Sequence, residues 1–388
     1  MAGTWDPNAA WAPLKDDTAD DVGAAYGEIM TRCPVARVDE VLGGFWAVLS
    51  HDSLVEVALN TETFSNVVPL FNMRRPPLEC DPPEHRSYRR LLNPFFARDR
   101  IAAFEPDVRR YAIEMVDPLI AAGEADFAEA FALPFPTRVL CRLLAAPDED
   151  WELINDWGKR ADQIGAQTPP GSAERAAVGA EIHPYMLDLI RERRAHPGDD
   201  IVSGLIHGDP DLPSLDDEAL LGIVMMLLSA GHNTTASAIG NLVLRLARDA
   251  ELQSLLRADP ARIPLAVEES LRLDAPQQAM RRVATRDTEL HGCPIAKGDW
   301  VWLVFGAANI DPGSFDRPTE FDVDRSPNRH VGFGRGIHLC IGAPLARLQV
   351  RVVVEELLAR SSSFTMAGSV RRAEWPRLGV TSLPLRFK

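Results

Sequence analysis

Residues 330–342, HVGFGRGIHLCIG, enclose a single cysteine, Cys340, in a glycine-rich loop. A cysteine thiolate is a strong ligand for soft metal ions, but the sulfur must first be deprotonated. The glycines allow the backbone to turn tightly around the sulfur and to aim N–H groups at it. Residues 343–358 form an apolar run typical of a helix, and a helix start favours a negative charge. The stretch therefore predicts a cysteine thiolate held where a helix begins.

The pattern F-G-x-G-x-H-x-C-x-G, which ends at Gly342, resembles the haem-ligand loop of the cytochrome P450 monooxygenases. Further motifs follow in family order and cover most of the chain. The resemblance implies a mainly α fold with a small β region and one long central helix over the haem. It implies that residues 1–388 form a single haem-thiolate monooxygenase domain without a fused reductase. The implied cofactor is haem b (iron protoporphyrin IX), with Cys340 as the axial ligand of the iron.

Composition excludes several other classes of protein. The chain has 388 residues, 46% of them hydrophobic, and a formal net charge of -15, which argues against nonspecific nucleic-acid binding. Its cysteines are odd in number and include no CxxC or CxxCH, so neither a zinc knuckle nor a covalently attached haem is indicated. The longest apolar run, residues 219–231, is shorter than the roughly 18–20 residues that span a bilayer. We expect a soluble cytoplasmic protein with reduced thiols and no membrane partner.

Residues 81–92, DPPEHRSYRRLL, predict a helix capped by Asp81 with prolines in its first turn. His85 and Arg89 are four residues apart and share one helix face, which is either a solvated basic surface or a clamp for two carboxylates. The sequence resembles the family's D-P-P-E-H-x-x-x-R motif, which implies that both residues bind the haem propionates.

Two further propionate ligands are implied by the resemblance. His338 lies two residues before the cysteine, and Arg282 aligns with the family's propionate arginine. Arg281 is the competing choice for that role, and His330 could also lie nearby.

A long helix is predicted from about residue 213 to Arg248, with Ser214 and Asp217 as an acidic capping box. Its first half is apolar nearly all round and should be buried. In its middle, residues 230–235, AGHNTT, combine a glycine with two threonines, which can bond to main-chain carbonyls and bend a helix. This segment resembles the family's oxygen-binding groove.

The resemblance implies that Thr234 hydrogen-bonds dioxygen and orders a proton-donating water. The alternative is a structural threonine that bonds to its own helix. Asn233 departs from the family pattern, which has Asp or Glu at this position. An amide can join a hydrogen-bond network but cannot lend a proton as a carboxyl group does. We therefore predict an altered solvent network with Asn233 as a participant.

Glu269 and Arg272 are three residues apart on a predicted helix and can pair. The spacing resembles the family's Glu-x-x-Arg motif, a buried polar clasp that Arg325 commonly completes.

Substrate contacts are predicted near the haem. Helical geometry puts Met226 and Ala230 on the face of Thr234, with Ser229 adjacent, although core packing is the alternative for Met226. Gln278 and Ala279, just before Arg282, should pass the haem edge. The resemblance further implies that residues 64–80, alternatively a surface connection, lie over the haem. Residues 101–208 predict four or five helices with a break at 167–171, and the resemblance implies that this break belongs to the pair of helices and joining loop that form a lid over the active site.

The predicted function is insertion of one oxygen atom of O2 into a mainly apolar small organic molecule, by hydroxylation or O-dealkylation of a terpenoid or an aromatic compound. The sequence contains no flavin or iron–sulfur motif, so we expect electrons from a separate ferredoxin with its NAD(P)H reductase. The family resemblance implies a basic docking face, for which the candidates are Arg86, Arg90, Arg347 and Arg351. The alternatives are a peroxide-driven peroxygenase and a non-catalytic haem-thiolate sensor.

Overall fold

The computed structural model describes residues 26–27, 30, 33–39, 44–68, 73–168, 172–208 and 214–388. The predicted loop over the haem therefore lies partly outside the described residues, at 69–72. The same holds for the predicted lid interruption at 169–171. For the rest, helices dominate and the strands are short, which confirms the predicted mainly α class with a small β region.

Twelve helices have both of their ends within the part of the chain that the structure describes. In chain order they are α1 His51–Leu59, α2 Glu84–Leu92, α3 Arg98–Ala122, α4 Pro134–Leu144, α5 Trp151–Gln167, α6 Ala173–Ala195, α7 Ile201–His207, α8 Asp217–Arg248, α9 Ala250–Ala258, α10 Ile263–Leu273, α11 Phe305–Ala308 and α12 Ala343–Arg360. Short 3-10 or π turns connect several of them.

The strands form one larger sheet and three small ones. They are β1 Val35–Val38, β2 Phe45–Val48, β3 Phe64–Ser65, β4 Glu124–Asp126, β5 Ala279–Ala284, β6 Thr288–Leu290, β7 Cys293–Ile295, β8 Trp300–Val304, β9 Phe364–Met366, β10 Arg371–Arg372, β11 Val380–Ser382 and β12 Pro384–Phe387. The five-stranded sheet has the order β1-β2-β8-β5-β3, in which only β2 and β8 are parallel. Two hairpins, β6-β7 and β10-β11, and the sheet β4-β12-β9 complete the β region.

The central helix α8 is the axis of the main core. Of its 32 residues 22 are buried, including Leu220 to Leu228 and Thr235 to Leu244. Gly231 faces α4, where a Cβ would lie 2.9 Å from Leu140 Cδ2, so close helix packing explains this glycine. Among the described residues, α8 alone is long and apolar enough to cross a membrane, but 67% of its most apolar window is buried inside the fold, as in a core helix.

Two predicted helix caps are wrong. Asp216, not Ser214, caps α8, and its side chain accepts from the Ala219 N–H at 2.8 Å. Asp81 does not cap α2, which begins at Glu84 without a side-chain cap. The Asp81 carboxylate instead accepts hydrogen bonds from Ser65 Oγ and from the backbone N–H of Asn66. These bonds connect the end of β3 to the segment just before α2.

Candidate active site

Cys340 lies at the end of a tight loop that closes just before α12. Its N–H donates to the Phe333 carbonyl at 2.9 Å. Gly334 and Gly336 have φ of +76° and +74°, in the left-handed region that favours glycine. A Cβ at Gly336 would also lie 2.7 Å from the Ala58 carbonyl oxygen. The turn that presents the thiol therefore requires both glycines.

The thiol of Cys340 needs a nearby cation in order to ionise. Burial raises its pKa, and the backbone N–H groups of Gly342 and Ala343 and the charges of Arg89 and Arg347 only partly offset that rise. Cys340 is nevertheless an exposed residue. These two facts agree if the sulfur borders an internal space rather than bulk solvent. A metal ion in that space would deprotonate the thiol, so the residue fits a metal ligand.

Four cationic or titratable side chains gather beside the cysteine loop. The rings of His85 and His338 are 4.3 Å apart between centroids. Arg89 Nη1 donates to the Leu339 carbonyl at 3.0 Å. Arg282 is 5% exposed and donates to the carbonyl of the preceding residue at 2.7 Å. The structure thus brings together all four predicted propionate ligands.

The charges of this cluster are poorly compensated. Burial, followed by the positive charges of Arg282, His85 and Arg89, lowers the pKa of His338 to about 2. Burial and then Arg89 lower the pKa of His85 to about 4, and burial lowers that of Arg282 to about 10. Both ring nitrogens of His85 and Nε2 of His338 are buried without a hydrogen-bond partner. Two carboxylates would satisfy these atoms and restore the charge balance.

The cluster and the thiol together fit a haem. A haem needs one axial protein donor, which Cys340 can supply, and its two propionates match the unsatisfied cationic cluster. Among the described residues, no group of three or more His, Cys, Asp or Glu side chains is arranged to hold a bare metal ion. The donor set therefore suits a metal that arrives within its own macrocycle.

The buried helix α8 opens at its middle. Ser229 and Ala230 are exposed, whereas the residues immediately before them are buried. Thr234 is half-buried, and its Oγ1 donates to the Ala230 carbonyl at 2.6 Å. Because that bond uses the hydroxyl hydrogen, the oxygen lone pairs stay available to accept from a donor in the opening.

Asn233 joins α8 to two other parts of the fold. Its Nδ2 donates to Asp162 Oδ1 on α5 at 3.1 Å. The same carboxylate oxygen accepts from Arg377 Nη1 at 2.5 Å, and Arg377 lies in the segment between β10 and β11. The sequence motifs named neither Asp162 nor Arg377, because no local pattern announces contacts between residues so far apart in the chain.

The neighbouring His232 is buried in a different direction. Its Nδ1 lies 2.6 Å from Thr137 Oγ1 on α4, and its Nε2 is buried without a hydrogen-bond partner. A Cβ on Gly158 of α5 would lie 3.0 Å from its ring. Burial lowers the pKa of His232 to about 4, against a raising contribution from Asp162, so the ring is neutral at pH 7.

The predicted clasp is assembled below the cysteine loop. Arg272 Nη2 and Nε donate to the two Glu269 carboxylate oxygens at 2.7 and 2.9 Å. Arg325 Nε donates to the same carboxylate at 3.0 Å. Arg272 also donates to the carbonyls of Asn309 and Pro318 at 2.8 and 2.6 Å. The clasp therefore ties α10 to the irregular segment that leads into the cysteine loop.

Three of the predicted substrate contacts have buried side chains that are packed or hydrogen-bonded within the chain. Met226 is 6% exposed and belongs to the main core. Gln278 is 1% exposed, and its amide bonds to Tyr26 Oη and to the Ala275 carbonyl. Ala279 is buried in a second core cluster, on the strand face opposite Arg282. Ser229 and Ala230 remain as the predicted contacts that open into the site.

Arg281 and His330 have other partners than a propionate. The Arg281 guanidinium lies 4.6 Å from the ring centroid of Trp302, on the opposite strand face from Arg282. His330 Nε2 lies 3.1 Å from Glu268 Oε2, and the same carboxylate pairs with Arg347. Although burial opposes the shift, these two partners lower the pKa of Glu268 to about 2.

The predicted basic docking face is only partly basic. Arg86 and Arg90 are exposed on α2. Arg347 pairs with Glu268, and Arg351 pairs with Glu105 and Glu355 at 2.5 and 3.0 Å. The charges of the two arginines on α12 are therefore already matched within the chain.

Comparison with known proteins gives a consistent result. The family model described as Cytochrome P450 matches residues 263–387. The chain is 36% identical to the erythromycin C-12 hydroxylase of Saccharopolyspora erythraea, over 88% of this chain and 89% of that one. It is 34% identical to the mycinamicin IV hydroxylase/epoxidase of Micromonospora griseorubida, over 97% and 94%.

Solved structures agree with this result. The crystal structure of CYP108D1 from Novosphingobium aromaticivorans superposes with a TM-score of 0.87 at 31% identity, and the match covers 98% of each chain. The similarity therefore extends over the fold as a whole and not only over the cysteine loop.

Proposed function

The chain belongs to the cytochrome P450 family, and we propose that it hydroxylates a mainly apolar small organic substrate. It is a P450 monooxygenase, an oxidoreductase with haem b as its cofactor. The overall reaction is RH + O2 + 2 e⁻ + 2 H⁺ → ROH + H2O. The observation that carries the proposal is the Cys340 thiol beside a cationic cluster with unsatisfied buried nitrogens.

In this proposal, the Cys340 thiolate would hold the haem iron, and His85, Arg89, Arg282 and His338 would hold the two propionates. The bound haem supplies the activation of dioxygen and the oxidation of the C–H bond. The Gly342 and Ala343 N–H groups would stabilise the sulfur anion once the haem iron has displaced the thiol proton, because on their own they only partly offset the rise in pKa that burial causes. The clasp of Glu269, Arg272 and Arg325 keeps the segment before the cysteine loop in place.

Thr234 is proposed as the residue that accepts a hydrogen bond from a proton-donating water, since its own proton is committed to the Ala230 carbonyl. Ser229 and Ala230 would face the substrate. Arg75 Nη1 donates to Ser229 Oγ at 2.7 Å, which places one polar group at the opening of α8. The combination supports an apolar substrate with one polar group.

Electrons would come from a separate ferredoxin and its NAD(P)H reductase, in the cytoplasm. In support, α2 carries the exposed Arg86 and Arg90 and also contacts the cysteine loop through Arg89. An acidic ferredoxin that docks there would approach the haem from the thiolate side.

Carbon monoxide difference spectra of the dithionite-reduced, haem-loaded protein test the thiolate. We expect the red-shifted absorption band of a thiolate-bound haem in the wild type and in Cys293→Ala, a control at a half-buried cysteine. Cys340→Ala should lose the band. Substrates found by spin-state shift would then be incubated with 18O2, and one labelled oxygen in the product is expected. A wild type without the band would overturn the proposal.

A peroxygenase is the second candidate, because Asn233 replaces the carboxylic residue that the family pattern has beside Thr234. Turnover of one substrate with hydrogen peroxide and with the ferredoxin system distinguishes the two. We expect the ferredoxin-driven rate to exceed the peroxide-driven rate. The reverse order would favour the peroxygenase.

A further inference from the structure

Three separate parts of the fold meet at the carboxylate of Asp162. The residue lies on α5, Asn233 donates to it from α8, and Arg377 donates to it from the segment between β10 and β11. The Arg377 segment is itself anchored, because Asn241 Nδ2 of α8 donates to the Leu378 carbonyl at 3.1 Å. Asp162 therefore contacts two groups that are both tied to α8, Asn233 directly and Arg377 through the neighbouring Leu378.

This junction lies beside the opening of α8. Asn233 immediately precedes Thr234, and its Oδ1 is left to accept once Nδ2 has donated to Asp162. The Asp162 side chain is 33% exposed, so it reaches solvent as well as Asn233. The position thus combines access to bulk protons with contact to the segment that holds Thr234.

Other titratable groups near this point are less suitable proton sources. His232 is buried, with Nδ1 bonded to Thr137. Asp162, Arg377 and Lys159 are the charged groups that act on it. The side chains of Arg377 and Lys159 are hydrogen-bond donors without an acceptor, so neither can accept a proton from solvent and pass it on. Asp162 is the carboxyl group of the set.

We propose that Asp162 supplies, from α5, the carboxyl group that position 233 of α8 lacks, and that it acts through Asn233 as a positioning and proton-supplying residue. This inference rests on the proposed monooxygenase function. Asp162 takes one proton from solvent and passes it to a water molecule held between Asn233 and Thr234. That water passes a proton to the dioxygen that is being reduced, so the carboxylate is regenerated and no charge accumulates.

The carboxylate of Asp162 lies on α5, whereas Thr234 lies on α8. The proton supply is complete only while α5 is seated on α8, where the backbone at Gly158 packs against His232. Dioxygen reduction in a molecule whose α5 has moved away would therefore release peroxide, since O2 + 2 e⁻ + 2 H⁺ gives H2O2. Cleavage to water requires four electrons and four protons, O2 + 4 e⁻ + 4 H⁺ → 2 H2O.

The test uses the substrate-free holoenzyme with a plant-type [2Fe–2S] ferredoxin and its NADPH reductase. The readouts are H2O2 formed per NADPH, NADPH consumed per O2, and the solvent isotope effect in D2O. We expect Asp162→Asn to raise the peroxide yield by about threefold or more and to enlarge the isotope effect. The double variant Asp162→Asn with Asn233→Asp, which exchanges acid and amide, should return the yield toward that of the wild type.

Arg377→Gln is the matched control, because it removes the ion pair but keeps the carboxylate on Asn233. Its peroxide yield should stay near that of the wild type. Hydrogen–deuterium exchange of the α5 amides, measured on the same proteins, reports whether α5 stays seated. A peroxide yield that is unchanged in Asp162→Asn would overturn the proposal. So would a result in which Asp162→Asn and Arg377→Gln raise the peroxide yield equally and also raise the deuterium exchange of α5 equally, because the effect would then come from loss of helix packing. Absence of ferredoxin-driven O2 consumption in the wild type would instead count against the proposed function.

Discussion

Arg272 and Glu269 form a two-point ion pair, with N–O distances of 2.7 and 2.9 Å, and their side chains are 0% and 1% exposed. Such a pair contributes little net stability when complete, because both charges lose their hydration. Removal of one partner is different, since it leaves the other charge buried. The arginine also holds three backbone carbonyls, of Asn309, Pro318 and Glu320.

Glu269→Gln should therefore lower the free energy of unfolding by about 3–5 kcal/mol, the effect of breaking a buried pair. Haem content after purification should fall, because the clasp holds the segment that precedes the cysteine loop. The neighbouring Glu268→Gln is the control, since Glu268 is 30% exposed and solvent partly screens its pair with Arg347, so its loss should be smaller than that of Glu269→Gln. Urea unfolding of both variants measures the difference, and equal losses would contradict the buried-clasp account.

Arg282→Gln should lower the affinity for haem without lowering the stability of the haem-free protein. Loss of the guanidinium removes a charge-assisted bond to a propionate, worth about 2 kcal/mol, or roughly thirtyfold in haem affinity. Without haem the same change removes an uncompensated buried cation, so the apoprotein should be as stable as wild type or more stable.

Arg281→Gln is the matched control, because Arg281 stacks on Trp300 and Trp302 from the other strand face. Transfer of haem to an excess of apomyoglobin measures retention. Faster transfer in the Arg281 variant than in the Arg282 variant would reverse the assignment of the two arginines.

The sequence predicted the elements whose signals are local. The central helix, predicted from about residue 213 to Arg248, begins at Asp217 in the structure and ends at Arg248. The choice of cap was wrong because Ser214 and Asp216 are both good N-cap residues. The internal hydrogen bonds of Gln278 were not predicted, for another reason. Its amide is satisfied by Tyr26, 252 residues away, and no periodicity in the chain records that contact.

The same limit explains why the Asp162 junction was not predicted. Asp162, Asn233 and Arg377 lie on three elements, separated by 71 and 144 positions, and each looks like an ordinary polar residue in its own segment. The two arginines and two histidines beside Cys340 are equally dispersed, but a family motif identified each of them. Charge complementarity between distant elements thus becomes visible only in three dimensions.

Thr234→Ala should reduce the product formed per NADPH several-fold and raise the peroxide yield. The hydroxyl oxygen, with its proton donated to the Ala230 carbonyl, is the acceptor that holds the proton-donating water in the proposed mechanism. Thr235→Ala is the control, since Thr235 is only 4% exposed and adjacent residues on a helix face different directions. A Thr234 variant that forms as much product per NADPH as the wild type would show that this hydroxyl is purely structural.

His232 should make the protein less stable in acid. Its folded pKa is about 4 and its unfolded pKa is near 6.5, so between these values the unfolded chain binds a proton that the folded chain does not. Stability is therefore full above about pH 6.5 and falls by about 2–3 kcal/mol as the pH drops to roughly 4.5. His232→Gln should remove this part of the pH dependence. Urea unfolding midpoints of the wild type and of His232→Gln at pH 7.5 and 4.5 measure this difference. If both proteins lost the same stability between the two pH values, the burial of a neutral His232 ring would be contradicted.

Electron delivery should depend more on α2 than on α12. Arg86 is exposed one turn from Arg90, whereas Arg351 is neutralised by Glu105 and Glu355. Arg86→Glu should therefore slow ferredoxin-driven turnover several-fold at low ionic strength and have little effect at about 0.5 M salt, where screening is nearly complete.

Arg351→Gln should have a smaller effect on the same rate, because its charge is already matched within the chain. Peroxide-driven turnover, which needs no electron donor, should be unchanged in both variants and serves as the control. A rate that responds to Arg351→Gln more strongly than to Arg86→Glu would move the docking face to α12. A wild-type rate independent of salt would exclude electrostatic docking at either helix, because exposed charges attract a partner only over about one Debye length.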